Sequence, residues 1–151
     1  MFLGQALTRR VRQLELAISM IGYIAGELRY NLTPVERIFE DLAACERYRP
    51  FGFLRTACGM MRVGPFPEAL RTALAQDAPR LALHAGDLEL LEGLADSLGA
   101  SDVSTQLAYL ALLETRLQER LEAAKEAQRS KGRMYRTLGV LCGIVVDIII
   151  L

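Results

Sequence analysis

From Ser101 to Leu151 the chain reads as one amphipathic helix that runs without an obvious break into an almost wholly apolar tail, and the rest is expected to pack against it. Leu110, Leu113, Leu117, Leu121 and Ala124 recur at helical spacing, the stripe of a helix buried on one side. The cations Lys125, Arg129, Lys131, Arg133 and Arg136 follow. An apolar run then extends from Leu138 through Gly139, Gly143 and Ile144 to Leu151, broken by Asp147.

As a helix, Met134 to Leu151 would be roughly 27 Å long at about 1.5 Å per residue, slightly short of the ~30 Å of bilayer hydrocarbon. Each Leu, Ile or Val favours insertion by about 0.3–0.6 kcal/mol, whereas a mid-bilayer Asp costs about 2.5–3.5 kcal/mol. Asp147 stands near the end of the run, where headgroup solvation relieves that cost. The cations on one flank follow the positive-inside pattern, and Tyr135 falls where an interfacial aromatic would. Gly139 and Gly143 form a GxxxG pair that lets another helix approach closely. These features predict a membrane anchor over residues 133–151 carrying a cytoplasmic helical bundle over residues 1–132. The alternative is a soluble helical binding or regulatory protein whose apolar tail folds back into a groove.

Eighteen basic and eighteen acidic residues leave no net charge, so the molecule as a whole has no electrostatic attraction for nucleic acid. Arg9, Arg10 and Arg12 form a second basic cluster, suited to anionic lipid or to a solvated helix face. Cys45, Cys58 and Cys142 are widely spaced in apolar surroundings and read as reduced, small core residues.

The clearest helix comes first, with Leu3, Leu7, Val11, Leu14, Ile18, Ile21, Ala25 and Leu28 on one face. Leu16, Met20, Tyr23 and Ile24 add a second face, so its distal half should be surrounded by other helices. Gly22 and Gly26 on it would permit a close helix crossing. Thr33, Pro34 and Glu36 form a capping-box signal for a helix that Arg49-Pro50 stops. A short helix through Met61, a Gly64-Pro65-Phe66-Pro67 turn and a helix from Glu68 to Gln76 follow. After Asp77-Ala78-Pro79 come one or two helices ending at Leu98-Gly99, interrupted near Gly86-Asp87, and Ser101 caps the last helix. No stretch alternates like a strand. The fold class is all-α: a bundle of about six helices with a long C-terminal helix running into a membrane segment.

No catalytic, cofactor or metal constellation is visible. His84 is the single histidine and has no partner at ligand spacing. Asp87, Glu89, Glu92 and Asp96 read as the wet side of an amphipathic helix, and no phosphate-cradling glycine loop is present. Enzyme activity is not expected.

Four segments carry a family resemblance: Arg12-Gln13-Leu14-Glu15; Glu27-Leu28-Arg29-Tyr30-Asn31-Leu32-Thr33-Pro34; Leu98-Gly99-Ala100-Ser101-Asp102 with Gln106; and Met134-Tyr135-Arg136-Thr137-Leu138-Gly139-Val140-Leu141-Cys142-Gly143. In this order and spacing the chain resembles the stage III sporulation protein AB family of endospore-forming bacteria. The resemblance implies a component of the channel that joins mother cell and forespore, similar to the F-type platform protein of type II secretion and type IV pilus systems. It implies a place on the mother-cell side of the outer forespore membrane, with the bundle in the cytoplasm. The implied partners are the AA-type ATPase, other membrane proteins of the stage III sporulation A operon, and lipid; self-association is left open. Family members usually begin with a hydrophobic membrane segment, whereas here only Met1-Phe2-Leu3 precedes Gly4 and the arginines. The resemblance brings no catalytic residues.

Overall fold

The computed structural model describes the backbone of residues 2–150; the side chains of residues 1–3, 135 and 142–151 lie outside the description. The described residues form six α-helices: α1 (Phe2–Gly26), α2 (Val35–Ala44), α3 (Gly52–Met61), α4 (Phe66–Asp77), α5 (Ala85–Ser97) and α6 (Val103–Ile150). A single π-helical turn, Glu27–Asn31, follows α1, and 3₁₀ turns at Glu46–Tyr48 and Ala78–Arg80 link later helices. No strand occurs among the described residues.

α1 packs along α6, and α2 to α5 complete the bundle through successive neighbour contacts. The two long helices are antiparallel. At one end Gln128 Nε2 donates to Thr8 Oγ1, and at the other Leu28 and Gln106 line the same groove. The α6 stripe of Leu110, Leu113, Leu117, Leu121 and Ala124 is buried throughout, facing Leu14, Ala17, Met20, Ile21 and Ile24 of α1 in one core. Each fully buried Leu or Ile contributes about 1.5–3 kcal/mol. The edge-to-face pair of Phe39 and Phe66, 5.1 Å apart, joins α2 to α4. Asp77, at the end of α4, accepts from the Phe53 N–H at 3.0 Å and so caps α3.

Several local expectations are corrected. Tyr23 and Gly22 face solvent, so α1 is not enclosed on all sides, and no other helix comes within 4 Å of where a Cβ on Gly22 or Gly26 would stand. The close approaches fall instead on α5, where Gly93 makes room for the Tyr109 hydroxyl and Gly86 for the Arg120 guanidinium. Thr33 does not cap α2: Pro34 holds the cap position, and the Thr33 hydroxyl donates to Glu27 Oε2 at 2.7 Å. α4 starts two residues early because Pro67 sits in its first turn, where a missing N–H costs nothing. α5 is uninterrupted and begins at Ala85, after an extended lead-in. Cys45 is exposed and Cys58 half-buried, both free, so neither is a fully buried core residue; Cys142 lies outside the described side chains.

The largest correction is Asp87. It is fully buried, not on the wet side of α5, although Glu89, Glu92 and Asp96 are exposed as expected. Its carboxylate accepts from Arg10 Nε at 2.9 Å and Nη2 at 3.1 Å, from Arg120 Nη1 at 3.0 Å and from the His84 backbone N–H at 2.8 Å. Burial pushes this carboxyl up, but the Arg10 and His84 hydrogen bonds, the Arg10 charge and the Arg120 contact outweigh it and hold it below its ordinary value. Arg10 is therefore a buried clamp of α1 to α5, not a lipid-facing cation.

α6 runs unbroken from Val103 to Ile150, across the expected boundary between residues 132 and 133. The described side chains from Glu126 to Leu141 are all exposed, and nothing approaches Gly132 or Gly139. α6 keeps contact with α1 through Gln128, which bonds Thr8, and continues beyond it as one unbroken helix. Among the described residues, no helix is long and apolar enough to cross a membrane. Gly143, Ile144 and Asp147, named for the anchor, and Tyr135, named for its interface, lie outside the described side chains.

Candidate functional site

At the end of the bundle farthest from the tail, two of the quoted motifs meet across a groove of about 300 Å³. Leu28, Leu32, Thr33, Pro34, Val35 and Glu36 form one wall; Leu98, Gly99, Val103 and Gln106 form the other, with Phe66 between them.

The first wall is built by Glu27. Its backbone oxygen receives the Leu32 N–H and, at 3.3 Å, the Thr33 N–H; its carboxylate receives the Thr33 hydroxyl and, at 3.3 Å, the Asn31 amide. This winding turns Leu32 into the left-handed region (φ 50°, ψ 36°), unfavourable for a side chain larger than glycine's. Leu32 is nevertheless 70 % exposed, and neighbouring Tyr30 77 %. Strain that exposes an apolar side chain beside a concavity is a feature associated with binding sites.

The second wall is a reversal between α5 and α6. The Leu98 N–H closes α5 on Leu94 O at 3.0 Å, and Gly99 turns the chain at φ 80°, a conformation suited to glycine. Asp102, rather than Ser101, starts α6: it accepts the Thr105 hydroxyl at 2.5 Å, and its carbonyl accepts the Gln106 N–H at 3.1 Å. The Thr105 hydroxyl, with nearby backbone N–H groups, holds the Asp102 carboxyl below its ordinary value. Gln106 is buried, and its Nε2 donates to Ser101 O at 2.5 Å. Its Oε1 is the single buried side-chain polar atom without a partner among the described residues.

Of the motif residues singled out in the sequence, Thr33, Pro34, Leu98, Gly99 and Gln106 converge here. Asp102 shapes the adjoining turn and Tyr30 stands exposed on the π-helical turn. Sequence reasoning did not select Leu28, Leu32, Val35, Glu36, Phe66 or Val103 as site residues; helical periodicity marks the first as core and gives no sign that Phe66 reaches this end.

The opposite end is basic. Arg129 pairs with Glu126 at 3.1 Å, and Lys131, Arg133 and Arg136 are exposed along α6, followed by exposed Leu138, Val140 and Leu141. A second cavity of about 480 Å³, lined by Arg10, Arg116, Glu119 and Arg120, adjoins the Asp87 cluster. His84 is exposed, and no metal-ligand cluster occurs among the described residues.

A model of the stage III sporulation protein AB family matches residues 1–151. Stage III sporulation protein AB of Bacillus subtilis (strain 168) is 24% identical over 153 positions, covering 99% of this chain and 88% of that protein. A solved stage III sporulation protein AB shares the fold with a TM-score of 0.67 at 20% identity, over 81% of this chain and 98% of that one.

Proposed function

The chain belongs to the stage III sporulation protein AB family, and on that premise we propose that it is a non-enzymatic, membrane-tethered adaptor of the sporulation channel. Its bundle faces the mother-cell cytoplasm and recruits the AA-type ATPase at the groove. Its tail enters the outer forespore membrane and packs against other membrane proteins of the stage III sporulation A operon through the Gly139/Gly143 face.

The observation that supports this reading is the polarity of α6. One continuous helix, roughly 70 Å long at about 1.5 Å per residue, joins the groove at Val103 and Gln106 to a basic stretch and then to an apolar one whose described side chains are exposed. An unaccompanied helix in water is marginal, so an exposed stretch carrying Met134, Leu138, Val140 and Leu141 calls for lipid or a partner helix. The adjacent cations favour anionic headgroups on the cytoplasmic side.

The test is co-flotation of the AA-type ATPase with liposomes carrying the full chain. The ATPase should float with the wild type and remain at the bottom with the Leu32→Asp, Val35→Asp variant. Flotation unaffected by the variant would contradict docking at the groove, and no flotation with the wild type would contradict recruitment.

A further inference from the structure

The groove specifies its occupant through what its polar groups lack. The walls are apolar: Leu28, Phe66 and Leu98 are buried behind the surface, while Leu32 and Val103 stand exposed at the rim. No basic side chain lines it. The Thr33 hydroxyl is already committed to Glu27. Among the side chains, two acceptors remain. Glu36 is exposed and makes no ion pair with any described residue, and Gln106 Oε1 has no hydrogen-bond partner although Gln106 is 6% exposed. The Gln106 amide cannot supply a donor by flipping without losing its bond to Ser101 O.

A pocket whose free side-chain polar groups are acceptors favours donors on the occupant's side chains. Its volume, at the small end of ligand pockets, suits an anchor side chain and not a whole helix. We infer that the groove receives a partner-protein segment with one apolar anchor next to a Lys or Arg. The anchor fills the space between Val35 and Leu98, the cation faces Glu36, and an N–H of the segment reaches Gln106 Oε1. This rests on the docking role proposed for the groove and adds the chemistry of its occupant.

Selection of random twelve-residue peptides displayed on phage, against the full chain in nanodiscs, tests it. Enriched peptides should pair an aliphatic or aromatic residue with Lys or Arg and be depleted of Asp and Glu. Glu36→Lys, at an exposed position in the first turn of α2, should reverse the charge preference. Gln106→Met should weaken the best wild-type peptide about five- to tenfold by fluorescence anisotropy, the effect of one lost hydrogen bond. Enrichment without a charge preference, or a preference that survives Glu36→Lys, overturns the assignment of the occupant. Failure of every peptide to bind the wild type competitively with Leu32→Asp-sensitive sites overturns the docking role itself.

Discussion

Asp87→Asn is expected to be among the most damaging single-atom changes available in this bundle. The Asp87 side chain has no exposure and the Arg10 side chain 10%, so the substitution leaves a guanidinium in the interior with its counter-charge gone. Removing one member of a buried ion pair costs about 3–5 kcal/mol. In a chain of this size that lowers the melting temperature by about 6–20 °C, at roughly 2–4 °C per kcal/mol. Urea and thermal unfolding of the full chain in mild detergent, followed by circular dichroism, reads the loss. Arg120→Met should cost less, about 1 kcal/mol, because the lost guanidinium is 39% exposed and Asp87 keeps its bonds from Arg10 and the His84 N–H. Asp87→Leu combined with Arg10→Met should recover part of the loss, since an apolar pair of similar volume tolerates burial. The pH dependence has a definite sign. A carboxyl held below its ordinary value stabilises the fold above about pH 4 and loses that contribution as pH falls through the folded-state value. The wild type should therefore be indifferent to this group between about pH 5 and 8 and weaken below pH 4, and Asp87→Asn should lack that part of the acid loss. A penalty below about 1 kcal/mol for Asp87→Asn would refute a dry, paired Asp87.

Leu32→Gly should stabilise the bundle by about 1 kcal/mol, because glycine accepts the positive φ that leucine resists, while weakening ATPase recruitment by removing an exposed groove side chain; melting and co-flotation must move in opposite directions. Gly93→Ala should destabilise by about 1–3 kcal/mol, since the added methyl occupies the place of the Tyr109 hydroxyl, and an unchanged melting temperature would deny the close approach of α5 and α6. Gly139→Leu with Gly143→Leu should abolish pull-down of the other A-operon membrane proteins without altering the melting of the bundle; an undiminished pull-down would place the contact elsewhere.

The helices were legible because burial on one side writes a period into the sequence. All five residues of the α6 stripe are core, and the prolines and glycines near 50, 64–67, 79 and 99 stand between helices or in their first turn. What periodicity cannot carry is a partner distant in sequence. Asp87 shares its segment with three exposed acids and differs in being buried against Arg10, 77 positions away, and Arg120. Gly22 and Gly26 offered the spacing of a helix crossing, but no helix comes there. Thr33 had the right type to cap α2, yet Glu27, six residues back, takes its hydroxyl once the chain winds into a π-turn. The groove was half legible: the motif residues on its two walls were named from the sequence, but their convergence is a consequence of α1 and α6 running antiparallel.

Carbonate extraction of membranes holding the full chain, beside the same chain ended after residue 132, tests the tether most directly. The full chain should remain in the pellet after high-salt and carbonate washes, and the shortened chain should be released as a folded bundle. Release of the full chain into the carbonate supernatant would contradict the account.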